Sequence, residues 1–165
     1  TGQEPYTLAI TLLEEWPDAA RRDARILATD ISSRVLDIAR AGEYSPEDLN
    51  GLDPGMLRRY FTETRREAER RYVVGDGPRS LVRFARLNLM GPWPISGPFD
   101  FVFCRNVMIY FDKETQQQLI RRFADVLLPG GHLVVGHSES LTGRADAFTY
   151  VIPAVYRKTA PNLAA

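Results

Sequence analysis

The stretch FDFVFCRNVMIYFD, residues 99–112, decides the fold class of this chain. Its first part, FDFVFC at 99–104, is a short run of apolar and aromatic residues, which predicts a buried strand of a parallel sheet. At its far end Asp112 is a typical N-cap residue, and the apolar residues after it recur at helical spacing over 113–128. A buried strand that leads into a capped amphipathic helix is the repeating unit of α/β domains.

Units of the same kind lie on both sides of this stretch. Residues 25–30 predict a second buried strand, and Ser32 or Ser33 caps a helix that ends at Gly42. Similar patterns predict one more helix and three more strands, the last two antiparallel, at residues 4–16, 132–136, 148–151 and 154–157. We therefore expect an α/β fold with a Rossmann-like, mostly parallel sheet flanked by helices and with antiparallel C-terminal strands.

The middle of the chain interrupts this alternation. Proline-containing turns within 43–61 predict short helices, and arginines interleaved with glutamates predict an exposed charged helix over 62–71. The turn sequence GDGP at 75–78 and the apolar residues up to Leu87 predict a hairpin-like excursion that returns to the sheet. We assign a small inserted β-subdomain to about 62–86.

The composition is that of a globular protein with one domain. The chain has 165 residues, 44% of them apolar and 25% charged, which suffices for one core and not comfortably for two. Its 21 basic and 21 acidic residues balance, which argues against a nucleic-acid partner. The single cysteine, Cys104, favours a reducing compartment, and no apolar run approaches the roughly 20 residues that cross a bilayer. We expect a cytoplasmic protein without membrane insertion, with its domain at 1–158 and a loose tail at 159–165.

Polar residues follow several predicted strands, where the ligands of parallel α/β sheets bind. Asp30 ends the strand at 25–30, where a carboxylate can accept hydrogen bonds from both hydroxyls of a ribose; alternatively, it caps the following helix. Glu4 lies in the turn TGQEPY, residues 1–6, whose backbone N–H groups suit the charged end of a ligand. Alternatively, Glu4 is an ordinary acid of a first helical turn.

The segment CRNVMIYF, residues 104–111, places strong polar groups where the strand at 99–104 ends. Arg105 and Asn106 can contact a ligand there, and the phenol of Tyr110 can hold a substrate group. The alternative makes Tyr110 a core aromatic residue and Arg105 a surface residue whose stem covers apolar neighbours.

Two other chemistries fit the sequence poorly. GHSES at 136–140 follows a predicted strand, as a hydrolase nucleophile elbow does, but Ser140 replaces the second glycine of that motif. In addition, both histidines, His132 and His137, precede Ser138, whereas the hydrolase order needs a histidine after the serine. Two histidines and one cysteine also argue against a zinc site.

Taken together, these segments resemble the chemotaxis receptor methyltransferases of the CheR type. The resemblance runs from Thr1 to about Lys158, and its most specific part is CRNVMIYFD followed by PGG and GHSE in that order. Further matching segments are TGQEPYTLAI, ILATDISSRVLDIARAGEY, LNL at 87–89 and AVYRK.

The resemblance implies a Rossmann-like methyltransferase domain that transfers a methyl group from S-adenosylmethionine to receptor glutamates, giving γ-glutamyl methyl esters and S-adenosylhomocysteine. It implies that Asp30 binds the cofactor's ribose and that Tyr110 lies near the transferred methyl group as a catalytic residue. The other cofactor contacts that it implies are Glu4, Asn88, Leu89, Arg105 and Asn106. This chemistry requires no metal. The implied partner is a methyl-accepting chemotaxis receptor or related signalling protein, and we expect the enzyme to be a monomer.

The chain departs from the family pattern in two respects. The family's N-terminal helical domain and the first strand of its sheet should precede Thr1, so we expect this sequence to belong to a longer chain. Some relatives tether a receptor's C-terminal peptide through a β-subdomain, and the charged TETRREAERR at 62–71 puts that tether in doubt. Two alternatives therefore stay open: a non-catalytic module that binds the cofactor, and a methyltransferase of the same fold with a different acceptor.

Overall fold

A computed structural model of the chain describes residues 1–66, 69–141 and 147–159. The chain folds into two compact units, Thr1–Asn88 and Leu89–Ala165. The first unit contains α1 (Gln3–Glu15), β1 (Ile26–Asp30), α2 (Ser33–Ala41), β2 (Glu43–Tyr44), α3 (Pro54–Tyr60), β3 (Phe61–Arg66), β4 (Glu69–Val74), α4 (Asp76–Leu81) and β5 (Val82–Arg86). The second unit contains β6 (Phe99–Cys104), α5 (Lys113–Val126), β7 (Leu127–Val135), β8 (Phe148–Ile152) and β9 (Val155–Lys158). Short 3₁₀ helices lie at Ala19–Arg22, Glu47–Leu49 and Met108–Tyr110.

Strands β1 and β5 form a parallel pair in the first unit, in which Asp30 lies opposite Arg86. Parallel neighbours require a crossover connection, and α2 is part of this one. The side chain of Ser32 caps α2 by accepting a hydrogen bond from the N–H of Val35 at 3.3 Å. The helix ends before Gly42, so the predicted strand, cap and helix end are all present. The predicted burial of the strand is wrong, because no residue of β1 is buried and Leu27 is 36% exposed.

The core of the first unit is built around two tyrosines. The ring of Tyr6 lies 6.5 Å from that of Tyr44 and 5.7 Å from that of Phe84, edge-on in both cases. The hydroxyl of Tyr6 donates to the carbonyl oxygen of Ala39 at 3.1 Å, and burial raises the pKa of Tyr6. The buried members of this core are Tyr6, Ala9, Ala19, Tyr44, Val74, Leu81 and Val82.

An antiparallel sheet in the order β2-β4-β3 lies between α2 and β5 in the chain. The predicted charged helix over 62–71 is therefore wrong, because these residues belong to β3 and β4, apart from 67–68, which lie outside the described residues. The predicted β-subdomain exists, but its strands lie at 43–44, 61–66 and 69–74 rather than at 62–86.

Cross-strand pairing explains why this segment is a hairpin. Thr62 lies opposite Val73, and such β-branched residues fit a pleated surface better than a helix. Arg70 Nε lies 3.3 Å from Glu63 Oε1 on the neighbouring strand. The alternating charges that predicted pairs along one helix thus interact across two strands.

The turn predicted at 75–78 is also wrong, because α4 begins there. Pro78 lies in the first turn of α4 and is buried, and a proline there costs no helical hydrogen bond because the N–H groups of that turn have no partner within the helix. The predicted return to the sheet is confirmed by β5.

The described strands of the second unit form a sheet in the order β6-β7-β9-β8. Strands β6 and β7 are parallel, whereas β9 is antiparallel to both β7 and β8, which confirms the predicted C-terminal pair. The predicted N-cap of α5 is present: Asp112 Oδ1 accepts the N–H of Thr115 at 2.8 Å. Hydrogen bonds from Thr115 hold the pKa of Asp112 below its ordinary value. Strand β7 begins at Leu127 rather than at His132, so the glycines at 130–131 lie inside it.

The core of the second unit lies between α5 and its sheet. Leu119 of α5 and Leu133 and Val135 of β7 are fully buried. Over residues 131–135 of β7, buried residues alternate with more exposed ones, as expected for a strand with one face against a helix. Among the helices in residues 1–66, 69–141 and 147–159, none has both the length and the apolar character that a membrane-spanning segment needs.

Candidate functional site

The carboxylate of Asp30 lies at the carboxyl end of β1. Asp30 Oδ1 accepts the N–H of Ser32 at 2.7 Å, which supports the turn into α2. Asp30 Oδ2 has no partner among the described residues, and the side chain is half-buried. The two interpretations of Asp30 are therefore compatible: one oxygen supports the helix entry, and the other is available to a ligand.

Asn88 follows β5, beside the end of β1. The N–H of Leu87 donates to the carbonyl oxygen of Asp30 at 3.0 Å. This hydrogen bond extends the parallel ladder beyond β5 and brings the segment that carries Asn88 next to Asp30. The side chain of Asn88 is exposed, so two of the predicted cofactor residues lie at the same edge of this sheet.

Glu4 lies in the exposed first turn of α1. The turn before it is fixed by packing, because Gly2 is buried and has a φ of 98°. A Cβ at Gly2 would lie 2.8 Å from the hydroxyl oxygen of Tyr44 and 3.1 Å from the Cα of Ala39. Burial raises the pKa of Tyr44, and its hydroxyl donates to the carbonyl oxygen of Thr1 at 3.4 Å. The backbone entering Glu4 is therefore held against α2 and β2.

In the second unit, two side chains hold the carbonyl oxygen of Leu89. Trp93 Nε1 donates to it at 3.1 Å and Arg122 Nη1 at 2.5 Å. Arg122 Nη2 also donates to the carbonyl oxygen of Gly91 at 2.6 Å, and the guanidinium lies 4.1 Å from the centroid of the Trp93 ring. This Arg122–Trp93 clamp fixes the backbone of a predicted cofactor residue.

Arg105 and Asn106 follow β6 and are exposed. Asn106 has a φ of 56°, in the left-handed region that asparagine tolerates better than most residues. Its N–H donates to Glu139 Oε2 at 2.9 Å, and the N–H of Ile109 donates to Glu139 Oε1 at 3.2 Å. The loop after β6 is thus tied to a carboxylate that follows β7.

Glu139 also closes its own loop. Glu139 Oε2 accepts the N–H of Gly136 at 2.6 Å, and the N–H of Glu139 donates to the carbonyl oxygen of Gly136 at 2.9 Å. A Cβ at Gly136 would lie 2.3 Å from Asn106 Oδ1 and 2.8 Å from Glu139 Oε2. Only glycine at position 136 allows these two side chains to meet at the end of β7. Glu139 itself is 7% exposed.

Tyr110 presents its phenol to solvent from a backbone that is held in place. Its side chain is 81% exposed, so the alternative that makes Tyr110 a core residue is wrong. Gln116 Nε2 on α5 donates to the carbonyl oxygens of Met108 and Phe111, at 2.9 and 3.0 Å. Phe111 is half-buried against the core, so within this aromatic pair Phe111 packs and Tyr110 is accessible.

Sequence reasoning missed the residues that hold these loops. From sequence, Gly136 to Glu139 follow a predicted strand, resemble a nucleophile elbow in part and belong to the family resemblance, but nothing assigns Glu139 a role in holding a loop. Arg122 and Gln116 are predicted only as residues of a helix. One signal was available: an acid three residues after a glycine at a strand end can reach back to that glycine's N–H. No comparable local pattern marks Arg122.

The fold places this chain in the class of α/β domains with parallel strands. Parallel strands connected through helices end in loops that carry carboxylate, amide and guanidinium groups, which is where α/β domains bind nucleotide-like ligands. The chain belongs to a particular family of this class. The family described as "CheR methyltransferase, SAM binding domain" matches residues 1–156.

Similar proteins carry related names. A protein of Rhizobium etli named "Probable chemotaxis protein methyltransferase" is 44% identical over 163 residues, which cover 98% of this chain and 61% of that protein. The "Chemotaxis protein methyltransferase" of Escherichia coli is 43% identical over 157 residues, which cover 94% of this chain and 54% of that protein. The chain thus spans somewhat more than half the length of these relatives. The N-methyltransferase NodS of Bradyrhizobium japonicum has a TM-score of 0.46 and 17% identity, covering 82% of this chain and 74% of that chain.

Family membership confirms the resemblance, the α/β fold class and S-adenosylmethionine as the cofactor of this type of domain. The roles of the individual site residues stay predictions.

Arg122→Ala should destabilise the second unit by about 1.5–3 kcal/mol, the range for hydrogen bonds that involve a charged group. The physical reason is the loss of the donors to Leu89 and Gly91 together with the contact with Trp93. Urea unfolding followed by circular dichroism measures the change. The matched control is Arg121→Ala, because Arg121 is exposed and has no partner among the described residues. Equal destabilisation by both variants would contradict the clamp.

Proposed function

We propose that this chain is the catalytic domain, at 1–158, of a protein-glutamate O-methyltransferase that uses S-adenosylmethionine. The methyl acceptor is a glutamate side chain of a chemotaxis receptor or related signalling protein, and the enzyme is a cytoplasmic monomer. The observation that carries the proposal is the match of residues 1–156 to the SAM binding domain of the CheR methyltransferases. The names of the relatives support the acceptor class.

The donor groups on the loops suit this cofactor. S-Adenosylmethionine carries an ammonium group and two ribose hydroxyls, which are donors that carboxylates accept well. In the first unit, Asp30 Oδ2 is available beside a turn that already holds Oδ1, and Glu4 lies on a backbone fixed through Gly2. We assign the ribose to Asp30 and the ammonium group to Glu4, with Asn88 as a further contact.

For the second unit, the family resemblance implies roles for four further residues. Leu89, with its carbonyl oxygen held by Arg122 and Trp93, lines the adenine or the sulfonium side. Arg105 and Asn106 bind the cofactor from the loop after β6. Tyr110, exposed on a supported turn, orients the acceptor carboxylate.

The reaction needs little from the protein beyond alignment. When bound, the cofactor supplies a methyl group that its sulfonium already activates. A glutamate carboxylate is ionised near neutral pH and is the nucleophile; an oxygen–methyl bond forms, the methyl–sulfur bond breaks, and its electron pair stays on sulfur. No proton is transferred, so neither a general base nor a metal is required. The residues of the chain act by holding acceptor and donor in line and by excluding water from the two charges.

Two other functions are compatible with the family. The chain can be a non-catalytic module that binds the cofactor, or it can methylate another acceptor with the same fold. Because the chain matches only part of the length of its relatives, the acceptor and the partner belong to the proposal.

The direct test is methyl transfer to receptor cytoplasmic fragments from S-adenosylmethionine labelled in the methyl group. The expected product is a base-labile ester that releases labelled methanol after alkali treatment. The assay is run on the 165-residue chain and on a chimera in which the chain replaces the matched part of the Escherichia coli relative. Labelled methanol from either form supports the proposal. Absence of labelled methanol from both forms, with the intact relative active in parallel, contradicts it.

Asp30→Ala should weaken the binding of S-adenosylhomocysteine by about 1–3 kcal/mol, because the variant loses hydrogen bonds to a charged acceptor. Calorimetric titration of the folded variant measures the dissociation constant. Asp37→Ala is the control, since it removes an exposed carboxylate from α2 in the same unit. An unchanged dissociation constant for Asp30→Ala would reject Asp30 as the ribose ligand.

Tyr110→Phe should lower methyl transfer while leaving the affinity for S-adenosylhomocysteine nearly intact. The phenol oxygen is removed, whereas the turn that carries it keeps its backbone hydrogen bonds to Gln116. Turnover at saturating cofactor and the dissociation constant are measured on the same preparation. Turnover equal to that of the wild type would leave Tyr110 without a catalytic role.

A further inference from the structure

The buried carboxylate of Glu139 carries an inference that deepens the proposed function and rests on it. We propose that Glu139 is a positioning residue for methyl transfer, which fixes the loop between β6 and α5 so that Asn106 faces the cofactor and Tyr110 faces the acceptor. Glu139 touches neither ligand in this proposal; it acts through the backbone of the residues that do.

The hydrogen bonds of Glu139 require two acceptor oxygens. Oε2 receives the N–H groups of Asn106 and Gly136, at 2.9 and 2.6 Å, and Oε1 receives that of Ile109 at 3.2 Å. All three donors are backbone groups. A carboxylate supplies acceptors on both oxygens, whereas a glutamine would turn an N–H₂ group towards at least one of these N–H groups. The arrangement of these three donors therefore fits a carboxylate and not an amide.

The loop between β6 and α5 needs such support because its functional side chains are exposed. Arg105, Asn106, Ile109 and Tyr110 all face solvent, so their own side chains do little to restrain the backbone, and the apolar contacts of the loop come from Val107, Met108 and Phe111. Asn106 also has a φ of 56°. The hydrogen bond from its N–H to Glu139 helps to hold this uncommon conformation.

Glu139 and Gln116 hold opposite sides of the same turn. Glu139 accepts the N–H of Ile109, directly before Tyr110, while Gln116 donates to the carbonyl oxygens of Met108 and Phe111. Glu139 also holds the backbone of Asn106, whose side chain is assigned to the cofactor, whereas the hydrogen bonds of Gln116 go to Met108 and Phe111. Removal of Glu139 should therefore affect cofactor affinity and turnover, whereas removal of Gln116 should affect mainly turnover.

The test compares Glu139→Gln with the wild type and with Glu114→Gln, which makes the same change at an exposed position of α5. Hydrogen exchange of the amides of Asn106, Ile109 and Gly136, followed by NMR, should be at least about tenfold faster in Glu139→Gln. In the form of the protein that transfers methyl groups, the dissociation constant for S-adenosylhomocysteine should rise and kcat at saturating cofactor should fall, each about tenfold. Glu114→Gln should match the wild type in all three measurements.

The outcomes separate this role from the proposed function. Faster exchange with unchanged affinity and kcat shows a purely structural carboxylate and overturns the positioning role. A wild type that neither binds S-adenosylhomocysteine nor transfers methyl groups overturns the proposed function itself, before any variant is compared. If Glu139→Gln does not fold, Gln116→Ala decides: the proposal requires a lower kcat with affinity within about twofold of the wild type, and an unchanged kcat overturns it.

Discussion

The loops of the second unit depend on one constraint: backbone N–H groups that leave a parallel ladder still need acceptors. Strands β6 and β7 pair up to Cys104 and Val135, and beyond that point the chain turns away from the sheet. The carboxylate of Glu139 accepts three of the N–H groups that follow, from Asn106, Ile109 and Gly136. One buried side chain thereby fixes the ends of two strands.

Carbonyl oxygens at other chain turns are held by cationic side chains. Arg79 donates to the carbonyl oxygens of Arg40, Ala41 and Val74, at the end of α2 and of β4, and Lys158 donates to those of Ala124 and Leu127 at the end of α5. Arg122 does the same for the segment that begins at Leu89 and follows β5. Because these donors come from neighbouring elements, the predicted ligand-binding side chains remain exposed on backbones that are fixed.

Local patterns predicted the elements that local forces define. The strand ending in Cys104, the cap at Asp112 and the cap at Ser32 follow from residue type and spacing over a few positions. The burial predicted for that strand is wrong, because Phe101 is 56% exposed and Phe103 39%. The hairpin of β3 and β4 could not be predicted in this way, because its stabilising partners face each other across two strands. The same charged sequence fits the pattern of an exposed helix equally well.

In the candidate site, too, local sequence predicts some residues, whereas others depend on contacts between distant parts of the chain. Asp30 and Asn106 could be placed from sequence, since each directly follows a strand. The role of Glu139 could not, because its donors at Asn106 and Ile109 lie 33 and 30 residues away in the chain. Likewise, Arg122 lies 33 residues from Leu89. Contacts at such separations depend on the register of the sheet and on helix packing, which no local window contains.

The loops at the carboxyl ends of the parallel strands should bind S-adenosylmethionine. Titration of the ¹⁵N-labelled chain with S-adenosylhomocysteine, followed by NMR, measures this binding residue by residue. Saturable shifts are expected for the backbone amides at 30–32, 87–89 and 105–110, with little change in the β2-β4-β3 sheet. Shifts confined to that antiparallel sheet, or no shifts at saturating ligand, would contradict it.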